Sequence, residues 1–123
     1  MALRRGTFAA TGTARLGTIA GGSVGRWVVQ ITGGATATML AEGISQQDEG
    51  NLDDGQAALT LASNKVALAT TNMTSGAIVV GATGYSCATD TIFWVDGSRL
   101  DVQLRISAYT SGTVSWSASP TRG

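Results

Sequence analysis

Two runs late in the chain alternate apolar and polar residues with a period of two, the spacing of a strand that is wet on one face. Leu100, Val102, Leu104, Ile106 and Ala108 stand against Asp101, Gln103, Arg105 and Ser107. After Tyr109-Thr-Ser-Gly112 the pattern resumes, with Val114, Trp116 and Ala118 against Thr113, Ser115, Ser117 and Ser119. A short glycine-containing loop between two such runs predicts an antiparallel hairpin. Upstream, Thr91-Ile-Phe-Trp-Val95 is β-rich and Asp96-Gly97 suits a tight turn, which extends the expectation to a three-stranded meander.

The first half reads the same way. Trp27, Val29 and Ile31 alternate with Arg26, Val28 and Gln30, and Gly33-Gly34 precedes Thr36-Ala-Thr-Met-Leu-Ala41, which predicts another hairpin. Residues 5–10 and 13–19 read as further strands. The stretch from Gln56 to Ala69 fits both a helix and two strands; Ser63-Asn64 and the all-β context favour strands. Eight to ten short strands punctuated by glycine predict an all-β fold, an antiparallel β-sandwich or jelly-roll-like single domain, with Trp27, Trp94 and Trp116 filling its core. The expected organisation is an N-terminal arm over 1–5, the sandwich over 6–119 and a tail over 120–123. At 123 residues there is apolar surface for one core and not for two.

Charge is scarce: 13% of residues, against about 25% in an ordinary soluble domain. A surface of Ser, Thr, Gly and Ala is expected where much of the outside lies against protein. Net charge is zero and Lys65 is the single lysine, so no basic field is available to collect a nucleic-acid backbone. Arg4, Arg5, Arg15 and Arg26 precede any acid, while Glu42, Asp48, Glu49, Asp53 and Asp54 crowd a later segment, an asymmetry suited to contacts between copies. Cys87 is the one cysteine, which excludes an intrachain disulfide and fits synthesis in a cytoplasm. No signal peptide is expected from the polar-interrupted start, and no run approaches the roughly 20 apolar residues of a membrane helix.

The motifs that carry chemistry fail on their partners. Gly21-Gly-Ser-Val-Gly25 has the spacing of a nucleophile elbow, but the chain has no histidine to take the serine proton, and a strand follows where a helix is required. The missing histidine also removes the usual zinc ligand and general base. The acidic segment lacks both the ligand spacing of a calcium loop and the aromatic platforms of a glycosidase. Gly76-Ala-Ile-Val-Val-Gly81 has the glycine spacing of a P-loop without its lysine. Catalytic, cofactor-binding and metal-binding residues are therefore expected to be none.

Gly6-Thr-Phe-Ala-Ala-Thr-Gly12, Thr89-Asp-Thr-Ile-Phe-Trp-Val-Asp-Gly97 and the run from Leu100 to Ala118 resemble small structural proteins of tailed bacteriophage virions, with Arg105 to Gly112 the most specific part. The resemblance spans Gly6 to Ser119 loosely and the last thirty or so residues more tightly. It departs at Asp54-Gly55, where Gln56-Ala-Ala-Leu follows in place of an aromatic. The resemblance implies a non-enzymatic β-sandwich in the virion: a capsid decoration, or cement, protein that stabilises the head shell through contacts with the major capsid protein. It is expected to be a homo-oligomer, a trimer for example, without nucleic-acid or membrane partners. The alternative is a tail- or fibre-associated component that binds host glycans through Tyr85, Trp94 or Tyr109. The expected interface residues are Arg4, Arg5, Phe8 and Arg15.

Overall fold

A computed structural model describes residues 3–19, 25–45 and 64–122. Among them are β1 (Arg4–Phe8), β2 (Gly12–Gly17), β3 (Gly25–Thr32), β4 (Thr36–Ser45), β5 (Val66–Ala67), β6 (Thr70–Asn72), β7 (Ile78–Val79), β8 (Tyr85–Ser86), β9 (Thr91–Asp96), β10 (Leu100–Ser111) and β11 (Val114–Arg122). One sheet runs β1-β11-β3-β9-β6-β7; the other runs β2-β10-β4-β5, with β8 also on β4. Every pairing is antiparallel.

The order follows one rule. β1 pairs β11, β2 pairs β10, β3 pairs β9, and β4 pairs β5 and β8. First meets last, second meets second-last: a long antiparallel ribbon wound over itself into two facing sheets, the jelly roll. Their inner faces share one core. Trp27, Val29, Ile31, Phe93, Val95, Val114 and Trp116 enter it from the first sheet, and Leu16, Met39, Val102, Leu104 and Ile106 from the second. Burying each large side chain contributes about 1.5–3 kcal/mol.

The expected hairpins are not hairpins. β10 lies in the second sheet and β11 in the first, so Gly112 turns a corner between layers; β3 to β4 and β9 to β10 cross in the same way. The reason is that alternation marks which face is dry and leaves the neighbour undetermined. The inward sets Val102, Leu104, Ile106 and Val114, Trp116, Ala118 are buried as expected, but they face each other across the core. Register shifts at Ile106/Ala108 and Tyr109/Ser111 mark bulges that bend the end of β10 toward the other sheet. Among the described residues, β6 and β7 pair as consecutive strands, as do β4 and β5, whose connecting segment lies outside the described residues.

Smaller corrections follow. Arg4 and Arg5 are not a free arm; they open β1, opposite Ala118 and Ser117. Pro120 to Arg122 likewise continue β11 where a tail was expected. Trp94 is not in the core: its side of β9 faces outward, and the Arg26 guanidinium sits over its ring at 4.4 Å. Of the ambiguous stretch, 56–63 lie outside the described residues, Asn64 is helical where a turn was expected, and Val66–Ala67 is a short strand.

Candidate interaction surface

Of the four residues expected at an interface, two remain available. Arg4 and Arg5 are exposed on β1, an edge strand of the first sheet, and among the described residues neither guanidinium makes an ion pair. Phe8, three residues on, turns inward and is 9% exposed, its ring stacked on Trp116 at 6.3 Å. Gly6 lets this happen, because a Cβ there would lie 3.0 Å from the Trp116 ring. Arg15 sits on β2 and is held by Asp101 of β10, its Nε donating at 3.0 Å. That hydrogen bond, together with the attraction of opposite charges, pushes the Arg15 guanidinium above its ordinary value.

Beside β1, a shallow trough of about 340 Å³ is lined by Trp116 and by the outward residues Leu3, Arg5, Gln30, Thr32, Ser115 and Ser117. Alternation explains most of the lining: Arg5 on β1, Gln30 and Thr32 on β3, and Ser115 and Ser117 on β11 point away from the core. One guanidinium, one amide and three hydroxyls make a donor-rich floor suited to acidic or carbonyl groups of a docked chain.

Three described acids are occupied internally. Glu42 is buried on the outer side of β4, where its Oε1 accepts from the Gln103 amide at 2.8 Å and its Oε2 from Arg105 at 2.9 Å. Asp90 accepts the Gly33 N–H and Asp96 the Ser98 N–H, so each fixes a corner. Asp48, Glu49, Asp53 and Asp54 lie outside the described residues, as does the elbow-like pattern apart from Gly25. The Cys87 thiol is buried, and that burial pushes its pKa up, away from the reactive thiolate.

The aromatic residues do not form a sugar platform. Tyr85 is buried, stacked on Phe93 at 4.4 Å, and its phenol oxygen accepts from Thr70 at 2.7 Å. Trp94 lies on the outer face of the first sheet under Arg26, while Tyr109 is on β10 of the second sheet and donates to the Gly112 carbonyl at 2.6 Å. What the sequence reading passed over is an exposed apolar group: Val66, Met73, Ile78 and Val80 are 50–73% exposed. Its signal was present as an absence, since no charged residue occurs between Lys65 and Asp90.

No family model matches the sequence, and no curated protein does. The chain resembles the SPBc2 prophage-derived protein YomS. The two share a fold over 98% of this chain and 96% of YomS, with a TM-score of 0.53 and 14% sequence identity. At that identity the likeness is one of fold.

Proposed function

We propose that this protein is a bacteriophage virion structural protein without catalytic activity, and that it decorates the head, cementing the shell through contacts with the major capsid protein. The observation that carries the reading is the fold shared almost end to end with a prophage-encoded protein. The chemistry agrees with it. Arg5 lies on the outer face of an edge strand beside a donor-rich trough, and exposed Arg4 projects from the other face of the same edge, an arrangement for gripping another protein.

Copy number tests the location, because shell symmetry ties the number of copies to place. Quantitative mass spectrometry of purified particles against the major capsid protein should return hundreds of copies. A dozen or fewer moves the protein to the tail or a unique vertex, and absence ends the virion reading. Charge should carry part of the contact: Arg4→Ser with Arg5→Ser should lower occupancy on particles and leave the melting temperature in place. Substitution is preferable to deleting 1–5, which removes two residue pairs of β1 with β11.

A further inference from the structure

Beside β1, the side chains of Arg5, Gln30, Thr32, Ser115 and Ser117 converge on the trough, and among the described residues none of them makes a hydrogen bond or an ion pair. The outer side of the second sheet is the opposite case, where Glu42, Gln103 and Arg105 bond to one another. β1 itself is paired on one side alone. It meets β11 in unbroken register from Arg4 opposite Ala118 to Phe8 opposite Val114, and its other side is an edge of the sheet. No proline or bulge interrupts it. Arg4, Arg5 and Thr7 are exposed in the single chain, so the edge stands open to a partner.

We propose that an extended acidic segment of the major capsid protein adds to this edge as a further strand of the first sheet, with two adjacent acids against Arg4 and Arg5. The proposal deepens the capsid-decoration reading and rests on it, since that reading supplies the partner. Geometry sets the spacing of the acids. Successive side chains of a strand leave by opposite faces, so with Phe8 turned inward Arg5 projects to the outer face and Arg4 to the other. Whichever way the added strand runs, the residues opposite these two are neighbours in its sequence and leave by the same two faces. Acids two positions apart would share one face and leave one arginine unmatched. Charge sets the sign and narrows the partner. Charged side chains on an edge deter pairing with strands of their own kind. Here β1 of a second copy would bring arginine against arginine, whereas an acidic strand gains at both positions. Around Arg5, the trough adds the Gln30 amide and three hydroxyls as further donors to a carboxylate or a carbonyl.

Nuclear magnetic resonance titration of the full chain with millimolar peptide tests the strand. The probes are Thr-Val-Asp-Asp-Val-Thr, its isomer Thr-Asp-Val-Asp-Val-Thr and the neutral Thr-Val-Asn-Asn-Val-Thr. The adjacent acids should shift the β1 amides, slow their exchange and bind about 2–5-fold tighter than the isomer, with the neutral peptide weakest. Arg4→Ser and Arg5→Ser should each abolish the preference for adjacent acids; if either fails to fold, the glutamine variant replaces it. No response at β1, or equal binding of the two acidic isomers by the wild type, overturns the proposal. On particles, Thr7→Cys offers the accessible thiol, because Cys87 is buried. A photo-crosslinker attached there should link to an acidic stretch of the major capsid protein. A link to residues 48–54 of a second copy, or to a stretch without adjacent acids, overturns the proposal. A chain abundant in particles whose β1 ignores the peptides defeats the added strand alone. A chain that takes the peptide but is absent from particles defeats the virion reading, and with it the capsid protein as the source of the strand.

Discussion

Trp27 and Trp116 each bury an indole N–H that meets no acceptor among the described residues. They serve as volume, filling space that alanine-rich strands leave open. Truncation to Ala should cost about 3–5 kcal/mol in urea denaturation at either position. Trp116→Phe should cost clearly less, since it also removes a donor whose unmade hydrogen bond costs about 1–3 kcal/mol. Phe8 shows why burial of one such residue was not legible: a single apolar residue beside Arg4 and Arg5 looks the same whether it points in or out, and its partner Trp116 lies at the far end of the sequence. Two buried acids set the alkaline limit. Burial raises the pKa of Cys87 above its ordinary 9.0 and that of Tyr85 above its ordinary 10.0. Both groups are therefore held neutral in the folded state and ionise more readily when unfolded, so their contribution is complete below those values and declines as pH rises through them. Urea midpoints should be flat up to about pH 8 and fall above it. Tyr85→Phe should flatten the upper part of that fall, while leaving the buried Thr70 hydroxyl without its acceptor at every pH.

At the scale of elements, the corners carry the information that the strands do not. Gly112 has φ 88°, and a Cβ there would lie 2.7 Å from the Gly34 carbonyl oxygen, so the β10–β11 corner presses against the β3–β4 corner. Gly112→Ala should destabilise by about 2 kcal/mol or more, through strained backbone and lost space together. Gly34→Ala, at φ 129° with nothing near, should show the backbone part alone. Arg99 is the converse, a non-glycine residue at φ 58° between β9 and β10; Arg99→Gly should gain about 0.5–1 kcal/mol in thermal or urea melts. The faces of the long strands were legible because burial obeys the period of two. The layer each strand joins was not, because a Gly-containing corner and a Gly-containing hairpin read alike. The exposure of Ile78 and Val80 was hidden for a related reason: Ile78-Val-Val reads as core in so short a strand.

The molecule as a whole pairs its earliest strand with its latest, so little of the sheet forms before distant segments meet. Refolding should accordingly be slow for this size, in milliseconds to seconds by stopped-flow fluorescence of its tryptophans. The proposed Arg4 and Arg5 contact with a particle should weaken as salt screening rises, read as occupancy on particles. The pairing of β1 with β11 has a mechanical side as well. The strands are antiparallel neighbours, so the start of one lies beside the end of the other at the same pole. Tension applied through those ends would peel their hydrogen bonds one pair at a time, the weakest direction in which to pull on a sheet. A jelly roll joined in this way resists load when pressed or gripped across its faces, and yields when drawn by its ends.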